Sequence, residues 1–107
     1  MMVLMRIERW DVRRDGALSE RALRQKIVEL GYDPTARTYP PGTIAAAQCE
    51  LQECLASVLS GLVKITIDGE SAILAAGDIA FVPSGAVRRV EVVGASAALC
   101  LEATDAS

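Results

Sequence analysis

The residues that could do chemistry in this chain are few, because its 107 residues include no histidine. Imidazole general bases, Ser-His and Cys-His couples and histidine-based metal sites are therefore excluded within the chain. Any chemistry must come from thiol, carboxylate, amide or guanidinium groups. The candidates are Cys49 and Cys54 with the polar residues between them, and Arg88 in a mostly apolar segment.

The cysteines are three in number, Cys49, Cys54 and Cys100. A secreted disulfide scaffold has an even set, so an odd set without an export signal predicts reduced thiols. Four residues separate Cys49 from Cys54, which matches neither a C-x-x-C redox pair nor a usual zinc knuckle. We therefore expect all three side chains to pack as small apolar groups.

Charge and hydropathy exclude several partners. The formal net charge of −3 and the pI near 4.9 argue against nucleic-acid binding, which needs a basic face. The longest apolar stretch, residues 73–87, is interrupted by Asp78 and Pro83, so no membrane span is expected. Residues 1–10 carry Arg6 and Glu8 where a secretion signal needs an apolar run, which predicts a cytoplasmic protein.

One amphipathic helix is predicted over residues 19–30. Ser19 is a good N-cap, and Leu23 and Ile27 recur at helical spacing among charged residues. Gly31 supplies the residue that ends the helix. A helix with a single apolar stripe must dock on something, either the strands that follow or a partner subunit.

The chain is organised as a short extension followed by a strand-rich domain. Residues 1–35 form the extension, with a strand over 7–12 and a polar turn over 13–16, and residues 36–107 form the domain. Residues 104–107 are expected to be a frayed tail.

Short strands and tight turns dominate the sequence after Thr38. Asp68-Gly69 between two alternating segments predicts a hairpin with a type I′ turn, which pairs Ile67 with Glu70 and Val63 with Leu74. Further strands are predicted over residues 79–82, 87–93 and 97–103. This pattern is typical of an antiparallel double-sheet β-barrel or sandwich.

The glycine and proline positions of this region resemble those of the cupin superfamily. The first family motif, G-x5-H-x-H-x3-E-x6-G, is matched in spacing by Gly42, Gln48-Cys49-Glu50, Cys54 and Gly61. The second, G-x5-P-x-G-x2-H-x3-N, is matched by Gly77, Pro83, Gly85, Arg88 and Val92. The resemblance implies a mostly-β, jelly-roll barrel, to which the predicted N-terminal α-helix is an addition outside the two motifs.

The metal ligands of that family are replaced at the four positions that the resemblance assigns to them, by Gln48, Glu50, Cys54 and Arg88. An arginine has only hydrogen-bond donors and a permanent positive charge, so it cannot ligate a metal and repels one. We therefore expect no metal and no cofactor.

Arg88 is predicted to point into the barrel, because it shares a strand face with Ala86, Val90 and Val92. An inward guanidinium needs a partner, and the resemblance offers Glu50. Either this pair fills a vestigial site and holds the sheets in register, or Arg88 and Gln48 bind a small carboxylate or phosphate.

The strand of the first motif raises the question of what covers its outer face. If residues 48–55 were one strand, Gln48 and Cys54 would face inward while Leu51 and Leu55 faced outward. Either the register is shifted by one residue, or the predicted helix or a partner covers the apolar side. Related cupins often dimerise through outer sheet faces, so we expect a homodimer.

The sequence thus favours a small cupin without a metal site. The interpretation is a non-catalytic domain that binds a small anion or serves a structural or interaction role. The alternative is a metal-dependent cupin oxygenase or isomerase with atypical ligands, namely Gln48, Glu50 and Cys54.

Overall fold

The computed structural model describes residues 5–49 and 51–105. Nine strands and two helices follow one another within these ranges. They are β1 (Arg6–Glu8), α1 (Val12–Asp15), α2 (Glu20–Glu29), β2 (Tyr32–Tyr39), β3 (Ile44–Gln48), β4 (Cys54–Ser60), β5 (Leu62–Ile67), β6 (Glu70–Leu74), β7 (Ile79–Val82), β8 (Val87–Val93) and β9 (Ala98–Asp105).

The strands form two antiparallel sheets. The five-stranded sheet has the order β1-β7-β4-β9-β2, and the four-stranded sheet has the order β3-β8-β5-β6. One apolar core fills the space between the sheets, with Val58 and Ala80 from the first sheet and Ile65 and Val90 from the second. The predicted mostly-β, antiparallel double-sheet architecture is confirmed.

The predicted hairpin is confirmed residue by residue. Ile67 pairs with Glu70 and Val63 with Leu74. Asp68 has a φ of 50° and Gly69 a φ of 83°, as the two central residues of a type I′ turn require. Turn chemistry and strand alternation alone therefore specify the β5–β6 register.

The predicted helix is confirmed as α2, and it packs on the outer face of the five-stranded sheet. The Ser19 hydroxyl accepts a hydrogen bond from the Ala22 N–H, and Gly31 takes a φ of 97°. Leu23 and Ile27 are fully buried in a second core, with Leu55, Tyr32, Ile79, Phe81, Leu101 and Ala103. The helix thus docks on the chain's own sheet.

Two sequence predictions about the ends of elements are wrong, and the strand β2 is missing from the sequence predictions. Only Arg6–Glu8 is a strand at the start, and Val12–Asp15 is a one-turn helix because Asp11 caps the Arg13 N–H. β2 begins at Tyr32, since Pro34 is tolerated on a strand that lies at the sheet edge. The predicted tail is ordered through Asp105, because β9 pairs with β2 to its end; residues 106–107 lie outside the described residues.

The buried hydroxyl of Ser57 on β4 has no hydrogen-bond partner among the described residues. Folding takes this group out of water without replacing its hydrogen bonds. We expect Ser57→Ala to raise the free energy of unfolding by about 1 kcal/mol. Chemical denaturation measures this, with Ser60→Ala on the exposed end of the same strand as the control. A loss of stability in Ser57→Ala would contradict it.

The segment before α2 is fastened to the turn between β6 and β7. Arg9 forms an ion pair with the buried Asp78, at 2.5 Å between Nη1 and Oδ2. Trp10 lies directly against Gly77, where an added Cβ would come within 2.4 Å of the Trp10 Cβ. Gly77 is therefore required both for its φ of 89° and for this contact.

Gly77→Ala should be much more damaging than Gly85→Ala. Both glycines have a positive φ, but a Cβ at Gly85 meets nothing within 4 Å. We expect Gly85→Ala to cost about 1 kcal/mol from backbone strain. Gly77→Ala should cost about 2 kcal/mol more, because it also displaces Trp10. Equal melting temperatures of the two variants would show that the Trp10 contact does not matter.

Candidate functional site

An ionic cluster joins the two sheets across the space between them. Arg88 on β8 is 8% exposed, and its Nη2 donates to Glu102 Oε2 on β9 at 2.9 Å. The Tyr39 hydroxyl on β2 donates to the same oxygen at 2.5 Å. Ala86, Val90 and Val92 are buried beside Arg88, so the predicted inward orientation of this arginine is confirmed.

A second guanidinium contacts the same carboxylate. Arg37 Nε lies 3.6 Å from Glu102 Oε1, and the Arg37 side chain is 56% exposed. Glu102 therefore lies between one buried and one solvent-facing arginine. Burial, followed by the hydrogen bond to Glu102, raises the pKa of the Tyr39 hydroxyl, so this group is a neutral donor at physiological pH.

These groups line a cavity between the sheets, which we call the interior cavity and which is open to solvent past the exposed Asp33, Thr35 and Arg37. Its volume is about 330 Å³. Its lining combines guanidinium, carboxylate, amide and hydroxyl groups with disulfide sulfur; the residues are Asp33, Thr35, Arg37, Ala47, Gln48, Cys49, Cys54, Leu55, Arg88, Glu102, Ala103 and Thr104. Such a lining can hold a small polar molecule by several hydrogen bonds.

The structure brings three of the four residues singled out from the sequence to the interior cavity, namely Gln48, Cys54 and Arg88. The fourth, Glu50, lies outside the described residues, and so does the predicted Arg88–Glu50 pair. The described carboxylate that binds Arg88 is Glu102. Glu102 is two residues after Cys100 on the last strand, and Cys100 faces the core between the sheets. This alternation is the signal that could have identified Glu102 as an inward carboxylate.

The first motif does not lie on one strand, as its alternation had suggested. β3 ends at Gln48 and β4 begins at Cys54, and the two strands belong to different sheets. Leu51 lies in the connection and is 92% exposed, whereas Leu55 is buried under α2. Helix α2 is therefore the cover that the outer face required.

Two of the cysteines form a disulfide, so the prediction of three reduced thiols is wrong for Cys49 and Cys54. Their Cα atoms are 6.0 Å apart, a separation that suits the bond. The spacing of the cysteines in the sequence did not predict this bond. The two residues come together because the chain passes from one sheet to the other between β3 and β4. Cys100 is a free, buried cysteine, and burial raises its pKa to about 11.

The sequence profile of the cupin domain family matches residues 37–104. The chain therefore belongs to the cupin domain family. Among curated proteins, none matches the sequence of this cupin. No helix in the described part of the chain is long and apolar enough to cross a membrane.

Solved structures of low sequence identity share the fold. The Cnp3 cupin domain of Schizosaccharomyces pombe is 14% identical, with a TM-score of 0.65 over 74% of this cupin and 55% of that chain. A predicted oxalate decarboxylase of Thermotoga maritima is 19% identical, with a TM-score of 0.64 over 76% of this cupin and 72% of that chain. CENP-C of Drosophila melanogaster, solved bound to CAL1, is 13% identical, with a TM-score of 0.62 over 67% of this cupin and 63% of that chain.

The metal that the cupin fold implies does not fit the groups present here. Gln48 offers a neutral amide, the Cys54 sulfur is held in the disulfide, and Arg88 is a cation bonded to Glu102. Residues 5–49 and 51–105 contain no cluster of three or more His, Cys, Asp or Glu side chains that could hold a metal ion. A buried guanidinium next to the ligand positions opposes a second cation.

Proposed function

We propose that this cupin is a metal-free, non-catalytic domain whose interior cavity binds a small anion. The observation that carries the proposal is the pair of guanidinium groups, Arg37 and Arg88, on the wall of one cavity. Arginines, amides and hydroxyls together recognise carboxylate and phosphate oxygens. Thr35 and Thr104 supply the hydroxyls, whereas Gln48 pairs with the outward-facing Val87 and its amide donates to the Gly85 carbonyl.

The acidic residues of the lining restrict which anion would bind. Glu102 already neutralises part of the positive charge, and Asp33 lies on the same wall. A polyanion would be repelled by both carboxylates, whereas a singly charged carboxylate could bind Arg37 without displacing Glu102. We therefore expect small monocarboxylates to bind more tightly than inorganic phosphate.

Calorimetric titration with acetate, benzoate and inorganic phosphate tests this proposal. Arg37→Gln should weaken carboxylate binding about tenfold or more, because a charge-assisted contact is lost. Arg37 is solvent-facing, so the variant should keep its fold, and Arg89→Gln on the exposed face of β8 is the control. Absent binding to the wild type, or equal affinity in Arg37→Gln, would contradict an anion site.

An enzymatic role through a metal is the alternative to this proposal. Its ligands would have to be Gln48, Glu50 and Cys54, and the disulfide withholds the thiolate of Cys54. Elemental analysis of protein purified without chelators distinguishes the two roles. A stoichiometric transition metal would overturn the metal-free proposal.

We also propose that this cupin is a cytoplasmic homodimer that pairs through the outer face of its four-stranded sheet. The support is a set of half-exposed apolar residues there, namely Ile44, Leu62, Ile73 and Val87. An interaction role is compatible with the fold, since the CENP-C cupin was solved bound to CAL1. Analytical ultracentrifugation should show a dimer, and a single species of 11.3 kDa would contradict it.

A further inference from the structure

The disulfide lies where the interior cavity adjoins a depression on the molecular surface. The surface depression has a volume of about 360 Å³ and includes the exposed Leu51 and Gln52. Four residues line both spaces, namely Gln48, Cys49, Cys54 and Thr104. The Cys49–Cys54 bond therefore forms part of the wall that the two spaces share.

The two cysteines are held in place by backbone contacts as well as by their bond. The Cys49 N–H donates to the Ala86 carbonyl at 3.3 Å, and the Cys49 carbonyl accepts from the Gly85 N–H. Cys54 begins β4, where it is paired with Thr104. Reduction would thus leave the two thiols close together, so that the bond can form again.

The position of the bond in the sequence argues against a role in overall stability. Its sequence separation is only 5, and a disulfide stabilises a fold more when it closes a longer loop. The bond instead joins the end of β3 to the start of β4, and so ties one sheet to the other at the cavity. Its effect should be local to the cavity wall.

We propose that Cys49 and Cys54 form a reversible redox site that controls ligand retention in the interior cavity. The proposal rests on the proposed anion-binding function. In the disulfide form the bond fixes the part of the cavity wall that carries Cys49 and Cys54, whereas reduction separates the sulfurs and lets this part of the wall move away from a bound anion.

The reduction needs a dithiol of the thioredoxin or dithiothreitol class. Its thiolate attacks the Cys54 sulfur, which is more exposed than that of the buried Cys49. The Cys49–Cys54 bond breaks, and Cys49 leaves as a thiolate that takes a proton from water. The second thiol of the reductant then displaces Cys54, giving two protein thiols and one oxidised dithiol, a two-electron exchange.

Redox titration tests the site independently of any ligand. The protein is equilibrated in dithiothreitol buffers of graded oxidation state and alkylated, and its intact mass is measured. We expect one two-electron transition that adds two alkylated thiols, retained in Cys100→Ala and absent in Cys54→Ser. The proposal would be overturned if Cys49 and Cys54 remained thiols under all conditions. It would also be overturned if excess dithiothreitol failed to reduce their bond in the folded protein.

Acetate titration of the oxidised and reduced proteins tests the coupling. We expect acetate to bind the reduced protein about fivefold or more weakly, the lower end of ordinary coupling between sites. By linkage, saturating acetate should shift the reduction equilibrium toward the disulfide by the same factor. Equal acetate affinities of the oxidised and reduced proteins, with no shift of the reduction equilibrium, would overturn the proposal. The Cys49→Ala/Cys54→Ala variant, which cannot form the bond, gives a second measurement of acetate binding without the disulfide.

The two proposals fail in distinguishable ways. If the oxidised protein binds neither acetate nor benzoate, the anion-binding function is wrong, and with it the control of ligand retention. The alkylation titration would still decide whether the redox site exists. If acetate binds but the bond proves permanent or absent, only the redox proposal is wrong.

Discussion

Replacing Glu102 by leucine is expected to lower the free energy of unfolding by about 3–5 kcal/mol, the range found when one partner of a buried ion pair is removed. Glu102 and Arg88 have side-chain exposures of 16% and 10%, so neither is well hydrated in the folded protein. Without Glu102, the Arg88 guanidinium would remain inside the barrel without this carboxylate, and the Tyr39 hydroxyl would lose its acceptor. Urea denaturation followed by circular dichroism measures the loss.

Two further variants separate the buried pair from general damage at this position. Arg37→Met removes the exposed arginine from the same carboxylate and should cost less than about 1 kcal/mol. The double variant Arg88→Met/Glu102→Leu removes both buried charges and should recover most of the stability lost in Glu102→Leu. The losses in Arg88→Met and Glu102→Leu are also measured singly. If the loss in the double variant equals the sum of these two losses, the pair is not coupled.

The expected result also bears on what Arg88 does in this cupin. It stands at a position where the family has a metal ligand, and it links β8 to β9 across the barrel. A metal bound by strands of both sheets would tie them in the same way. The ionic pair ties the two sheets together without supplying the Lewis-acid chemistry of a metal.

Features decided by neighbouring residues could be predicted from the sequence. The Asp68-Gly69 turn, the Ser19 cap and the inward side of β8 each follow from residue type and from the period of a helix or strand. The glycine and proline spacing also indicated the family, which the profile match over residues 37–104 confirms.

Features decided by which strands become neighbours could not be predicted in this way. Glu102 is the partner of Arg88 because β9 faces β8 across the core. The residue pattern within either strand does not indicate which strand lies opposite. The Cys49–Cys54 bond likewise depends on the chain passing between sheets at that point. Sequence patterns thus gave the inward direction of Arg88 but not its partner, and they gave the wrong direction for Gln48, which pairs with the outward-facing Val87.

Ile27→Ala is the second substitution expected to have a large effect, lowering the free energy of unfolding by about 3 kcal/mol. Ile27 is fully buried between α2 and the five-stranded sheet, against a core that includes Leu55 and Leu101. Truncating it leaves a cavity and weakens the packing of α2 on this face of the sheet. Val28, one residue further on, is 57% exposed, and Val28→Ala should change stability by less than about 0.5 kcal/mol.

The concentration dependence of this effect separates two roles of the helix. Because α2 packs on its own sheet, the loss in Ile27→Ala should be the same at low and high protein concentration. A loss that grows on dilution would mean that the helix also supports a subunit contact. Equal stabilities of Ile27→Ala and Val28→Ala would contradict the docking of α2 on the sheet, and would leave the outer face of Leu55 without its cover.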